Sequence, residues 1–150
     1  LIALAWVLEE GSRKFYASIA GMLADSEAAK LFTDLTAAEE HHKSSLTGLY
    51  KNLTGSGSGA GFPGSLLPGE PKNDSMEGGV RVSEALAWVK GKDLHDVLEL
   101  SLSLEANSYD LYIKMGRSVT GKNSQEVFRV LMTEEKNHLS RLAALLDRKI

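Results

Sequence analysis

The sequence predicts an all-α fold, a four-helix bundle, on three observations: four long stretches with apolar residues at helical spacing, no credible strand, and one Gly/Pro-rich break midway. The first helix runs from 1 to about 23, where Ile2, Ala5, Trp6, Ser12, Tyr16, Ile19 and Leu23 form a stripe interrupted by Glu9. Asp25 or Ser26 is placed to cap the second helix, whose stripe reads Leu31, Leu35, Ala38, His42, Leu46, Leu49 and Leu53. So short a turn makes these two helices an antiparallel pair. Residues of about 54–80 hold most of the glycines and all three prolines, a composition that sustains neither a helix nor a strand interior. A connection of this length is expected to be a crossover, so the next long helix need not be antiparallel to the last. A short extra helix follows over 83–89, capped by Ser83, and Asp93 caps a long one to about 115 with Leu98, Leu102, Tyr112 and Met115 on one face. After 116–122, Ser124 caps the last helix, with Val127, Leu131, Leu142 and Leu145 in its stripe and Glu135 and His138 interrupting it.

Composition bounds the function. A chain of 150 residues, 43% hydrophobic and 25% charged, makes a single domain over 1–150 with a sizeable core. A net charge of -3 and a pI near 5.8 give no cationic surface for a phosphate backbone, so nucleic acid is not an expected partner. With no cysteine, disulfides, Cys-ligated zinc or iron–sulfur clusters and thiol catalysis are excluded, and any metal must sit on O and N ligands. No apolar run approaches the roughly 20 residues that span a bilayer, and Glu9 and Glu10 stop the one that begins the chain, so no membrane partner is expected. Cytoplasm is the default expectation. The chain opens at Leu1 inside an amphipathic helix, with no basic n-region or cleavage site, so an upstream portion is expected.

The chemistry lies in the residues that interrupt the stripes. Glu39-x-x-His42 and Glu135-x-x-His138 share one spacing, and positions i and i+3 lie about 60° apart on a helix, close enough to converge on one ion. The first and third long helices each place a glutamate in the stripe, Glu9 and Glu105, followed two turns later by Tyr16 and Tyr112. All four pairs obey one offset: Glu105, Tyr112, Glu135 and His138 each stand 96 positions after Glu9, Tyr16, Glu39 and His42. Sliding 1–54 onto 97–150 also matches Leu4 with Leu100, Leu8 with Leu104, Ser12 with Ser108, Phe32 with Phe128, Leu35 with Leu131, Ser44 with Ser140, Leu46 with Leu142 and Leu49 with Leu145. The halves are an internal repeat, as expected of two helical hairpins facing each other about a pseudo-two-fold axis. Four carboxylates buried together require a counter-charge, because each ionised carboxylate is costly in a dry core and like charges add to the cost. Two divalent ions balance four glutamates and leave two imidazoles neutral; a Glu from each of two helices with Glu-x-x-His from each of the other two is a known dinuclear carboxylate pattern.

On these residues, Glu9-x6-Tyr16, Glu39-x-x-His42, Glu105-x6-Tyr112 and Glu135-x-x-His138, the chain resembles the ferritin-like superfamily, and within it the rubrerythrin and bacterioferritin branch, over nearly its whole length. The resemblance implies a ferritin-like bundle with a long crossover. It implies that Glu39 and Glu135 bridge two iron ions, that Glu9 with His42 and Glu105 with His138 complete one ion each, and that open positions remain for H2O2 or O2. Manganese is an alternative, since hard O/N ligands accept it equally. Rubrerythrins usually carry another glutamate three residues beyond the first on the third long helix. Here Ser108 stands there, so the chain departs from the family at the residue its redox-dependent ligand change uses. They also usually carry a Cys-ligated rubredoxin module, so electrons are expected from an external partner such as a rubredoxin-like protein. The resemblance thus implies a di-iron redox protein reducing H2O2 or O2, expected as a homodimer; the rivals are a ferroxidase or iron-storage subunit, a di-manganese catalase-like enzyme and a scaffold without turnover.

Single pieces of this pattern have plainer explanations. One Glu-x-x-His is usually solvated surface; two at one offset with two partner glutamates are not. Tyr16 and Tyr112 are either ordinary core residues or donors to ligand carboxylates, and Asp110 is a candidate partner for a ligand histidine. Glu10, Glu40 and Glu134 fall off the stripe and are read as solvated, His41 as facing solvent or a helix edge, and His95, in the first turn of its helix, as poorly placed for the cluster, while Trp6 and Trp88 are read as packing residues.

Overall fold

A computed structural model describes residues 2–54, 62, 74–76 and 79–149. They form five helices: α1 (Ile2–Met22), α2 (Ser26–Thr54), α3 (Val82–Val89), α4 (Leu94–Ser118) and α5 (Lys122–Lys149). Among the described residues there is no named strand, only an isolated antiparallel bridge between Ser75 and Arg81. No described helix is long and apolar enough to cross a membrane. Most of the expected crossover lies outside the described residues.

Local chemistry sets the helix ends. The Asp25 carboxylate accepts from the Ala28 amide at 2.9 Å and Asp93 from that of Asp96 at 2.9 Å, each meeting a donor that the first helical turn leaves free. Ser83 does not cap α3. It lies inside the helix, and its amide and hydroxyl donate to the Asp74 carboxylate at 3.0 and 2.5 Å, so the cap comes from the chain before the helix. Nor does Ser124 cap α5: the helix starts at Lys122, after Gly121 at φ +97, and the Gln125 amide donates to the Gly121 carbonyl. Gly116 does not end α4, which runs to Ser118; a Cβ at Gly116 would meet Phe128 Cβ at an ordinary 3.5 Å, so a glycine here lies against α5 rather than breaking the helix.

Side-chain contacts fix how the long helices run. Between α1 and α2, Glu9 meets His42 and Arg13 meets Glu40; between α2 and α5, Asp34 meets Arg141 and His42 meets Glu134. Tyr16 reaches Glu105 and Tyr112 reaches Glu9 between α1 and α4. In each case one number rises as the other falls, so each of these helix pairs is antiparallel.

The core is layered along the helices. One apolar cluster gathers Phe15, Ile19, Phe32, Leu35, Leu98 and Leu142, with others; the second gathers Ala5, Leu46, Leu49, Met115, Phe128 and Leu131. On all four long helices, Glu9, Glu39, His42, Glu105, Glu135 and His138 fall between the members of these two clusters and are buried themselves. One stripe assignment and one packing assignment fail. Leu53, near the end of α2, is 57% exposed, and Trp88 of α3 is 46% exposed with the Lys92 ammonium 4.9 Å from its ring centre rather than packed in the core. Trp6 is half-buried, with Lys43 Nζ 4.8 Å from its ring centre.

A candidate metal centre

The helical stripes deliver six donors to one place because glutamate and histidine occupy positions that would otherwise be apolar. Glu9, Glu39, His42 and Glu135 each offer an atom within 4.8 Å of the others, and so do Glu39, Glu105, Glu135 and His138. The two groups overlap in Glu39 and Glu135, one glutamate from each hairpin.

Both imidazoles turn Nδ1 toward the carboxylates. His42 Nδ1 lies 3.3 Å from Glu9 Oε2, 3.7 Å from Glu39 Oε2 and 3.0 Å from Glu135 Oε1. His138 Nδ1 lies 3.5 Å from Glu105 Oε2 and 3.6 Å from Glu135 Oε2. The rings stack with centroids 5.8 Å apart and planes 22° from parallel. The tyrosines cross between halves: Tyr16 Oη donates to Glu105 Oε1 at 2.8 Å, and Tyr112 Oη donates to Glu9 Oε1.

Unmet polar atoms test whether a cation fits. Among the described residues, the buried side-chain atoms without a hydrogen bond are Ser12 Oγ, Glu39 Oε2, Glu105 Oε2, both carboxylate oxygens of Glu135 and His138 Nδ1. All but one belong to the cluster. Leaving a buried polar atom unpaired costs about 1–3 kcal/mol, so such atoms are rare in folded proteins and are not expected to gather at one point. Lone pairs converging from carboxylates and imidazoles are the donor set of a divalent cation with hard or intermediate preferences. The buried Glu/His cluster can therefore hold a metal ion.

Without a cation, protons carry the compensating charge. Burial pushes Glu135 up to about 8, and the neighbouring Glu105 charge adds to the shift. Burial opposes the charge on His42, but carboxylates at Glu134, Glu135 and Glu9 outweigh it and raise the ring to about 12. His138 is raised to about 9 against its burial by Glu105 and Glu135. Glu105 resists its own burial and is lowered through Glu135, His138 and Tyr16. Divalent ions compete with these protons for the same lone pairs.

The remaining sequence candidates lie elsewhere or have other partners. Asp110 is not a partner of either histidine: it is 61% exposed and pairs with Lys114 at 2.7 Å, because α4 turns that position outward. His41 is exposed, and His95 sits at the start of α4, 3.7 Å from Glu99. Glu10 and Glu40 bind Lys43 Nζ at 2.6 and 3.0 Å, and Arg13 joins Glu10; this Arg13 hydrogen bond leads the forces that hold the Glu10 carboxyl down to about 2 against burial. Glu134 departs from the sequence reading. Its carboxylate accepts from His42 Nε2 at 2.5 Å, because the α2–α5 contact brings its face of α5 against the outer edge of that imidazole. The repeat held one cue to it: the position 96 before Glu134 is Ala38, so an acid next to a ligand-type residue breaks the internal match.

The chain matches no protein-family model, no curated protein and no solved structure. The chemistry of the site therefore rests on its own residues.

Proposed function

We propose that this chain is a ferritin-like, rubrerythrin-like di-iron redox protein, a four-helix bundle that reduces H2O2 or O2 with electrons from an external donor. The observation that carries the reading is the overlap of two four-residue donor groups in Glu39 and Glu135, one residue from each Glu-x-x-His pair. Glu39 and Glu135 would bridge the ions; Glu9 and His42 would complete one, Glu105 and His138 the other. The antiparallel contacts of α1 with both α2 and α4 make α2 and α4 parallel, which supports a crossover between them and hence the ferritin-like topology.

Bound iron would supply two electrons to each H2O2, which takes up two protons and leaves as two waters, and an external donor such as a rubredoxin-like protein would restore those electrons. The protein's own groups prepare the place. Glu39 and Glu135 offer their oxygens to both donor groups, so each would help to hold both ions. Tyr16 and Tyr112 each occupy one oxygen of Glu105 and Glu9, leaving the other oxygen turned to the cluster. Apolar layers on either side limit water and strengthen every electrostatic contact between them.

The test is metal analysis of protein purified without added metal, then anaerobic Fe(II) loading and stopped-flow spectra on mixing with H2O2 and, separately, with O2. About two irons per chain, oxidised faster by peroxide, is the expected result. Preference for O2 with uptake beyond two irons would replace this reading with ferroxidase or storage, and bound manganese with sustained O2 release would replace it with a catalase. No bound metal after loading would overturn the dinuclear centre itself.

A further inference from the structure

The internal repeat makes the two halves of the centre nearly equivalent, and one residue breaks the equivalence. His42 Nε2 is held by Glu134 Oε2 at 2.5 Å, from α5 across to α2. The antiparallel pairing of α2 and α5 that sets residue 134 against 42 also sets 38 against 138. Position 38 is alanine. The position that pairs with His138 thus carries no carboxylate, and the side chain of His138 is 6% exposed where that of His42 is fully buried.

Resting on the dinuclear reading above, we propose that the two metal positions are unequal: Glu134 is a positioning residue that braces His42, so the Glu9/Glu39/His42/Glu135 position fills first and holds its ion, while the Glu39/Glu105/Glu135/His138 position fills second and exchanges. A carboxylate on the outer nitrogen of a metal-binding imidazole fixes ring and tautomer with the lone pair aimed at the metal and makes that nitrogen a stronger donor. Removing such a partner typically lowers metal affinity about 10–100-fold. His42 has this support and three carboxylates within 3.7 Å of Nδ1; His138 faces Ala38 in place of a glutamate and has two within 3.6 Å. Glu134 is 35% exposed on its side chain, at the rim rather than in the core, so replacing it does not empty a packed site.

The test is stepwise anaerobic Co(II) binding to the full chain, followed by calorimetry and by visible absorption. Wild type is expected to bind two ions in resolved steps. E134A should weaken the first step about 10–100-fold and leave the second near its wild-type value, and E134Q, whose amide oxygen still accepts from Nε2–H, should recover part of the loss. H42A should remove the tight step and H138A the weak one. A38E places a carboxylate opposite His138 and should tighten the second step, a gain that general damage to the fold cannot produce. Two ions of indistinguishable affinity in wild type, or an E134A variant that weakens both steps alike or neither, would refute the inequality and leave the dinuclear centre standing. Failure of wild type to bind any ion would remove both.

Discussion

Gly11 sits on α1 where the chain leading to α3 crosses it, and adding one carbon there has a calculable effect. A Cβ at Gly11 would lie 1.9 Å from the Ser75 carbonyl oxygen, 2.7 Å from Ser75 C and 2.9 Å from Met76 Cα, all of them backbone positions that no rotamer change can clear. Restoring contact near 3.4 Å requires segment 74–76 to lift by roughly 1.5 Å, the difference between that spacing and the one present. Met76 is fully buried, and its amide donates to the Val80 carbonyl while the Val82 amide donates to that of Asp74. Partial exposure of the methionine forfeits part of the ~1.5–3 kcal/mol of its burial, and each strained hydrogen bond adds about 0.5–1.5 kcal/mol. Against this, alanine gains up to ~1 kcal/mol over glycine in a helix interior. The balance for Gly11→Ala is a loss of about 1–3 kcal/mol. Gly48 of α2 is the control: nothing lies within 4 Å of the point a Cβ would occupy there, so Gly48→Ala should gain roughly 0.5–1 kcal/mol. Urea unfolding of the two variants beside wild type, in excess chelator, measures both. A Gly11→Ala protein stabilised as much as Gly48→Ala would mean that the segment does not lie on α1.

Glu39 and Glu135 belong to both donor groups whereas Glu9 and Glu105 belong to one each, so Glu135→Ala should depress binding of both ions and Glu9→Ala chiefly of one; a Glu135→Ala protein that retains about two Co(II) per chain after desalting would refute the assignment. In excess chelator, stability should fall as pH rises from about 6.5 to 9. The reason is that Glu135 and His138 hold their protons more tightly folded than unfolded: the contribution of Glu135 is complete below its ordinary 4.5 and lost toward 8, that of His138 complete below 6.5 and lost toward 9. Thermal melts across that range should show a falling Tm, flatter in Glu135→Gln, and a Tm that climbs would contradict these protonation states. Tyr112→Phe strips the donor from a buried Glu9 oxygen and should cost about 1.5–3 kcal/mol in metal-free urea unfolding, since hydrogen bonds to charged groups are worth that much; a change below about 0.5 kcal/mol would mean that another donor replaces it.

The donor cluster was legible in the sequence because a helix converts spacing into direction. Glu39 and His42 share a face whatever the rest of the fold does, and one offset of 96 links them to Glu135 and His138, so the convergence of all four depends only on the hairpins facing each other. Asp93 was legible for a similarly local reason, since its cap needs only the next three residues. What was missed depends on contacts between distant segments. Ser83 reads as a cap until Asp74 supplies the acceptor from outside the helix, and Gly11 carries no mark that a crossing backbone will need its missing side chain. Glu134 lies beside the stripe, and only the closeness of α2 to α5 turns that flank into a contact with His42. Trp88 fails differently. On a helix of eight residues one turn of register decides whether an aromatic ring is buried, and two positions of apolar neighbours do not fix it.

The internal repeat then separates what the interior demands from what the surface permits. Ser12 and Ser108, Tyr16 and Tyr112, Phe32 and Phe128, Leu35 and Leu131, Leu46 and Leu142, and Leu49 and Leu145 are identical pairs, and every member is buried. Two helical hairpins that meet through matching residues in a close-packed core present similar volumes twice, so the same side chain fills each with least strain. Nearer the surface some pairs still match, Leu4 with Leu100 and Ser44 with Ser140, but others part: Glu10, Arg13 and Lys43, which form one ion-pair network on α1 and α2, stand opposite Ala106, Tyr109 and Leu139. Glu134 and Ala38 belong to this outer set by position but to the inner one by contact, because a single hydrogen bond carries the difference inward to His42. An asymmetry at the rim can therefore reach the centre without altering one of the six converging donors.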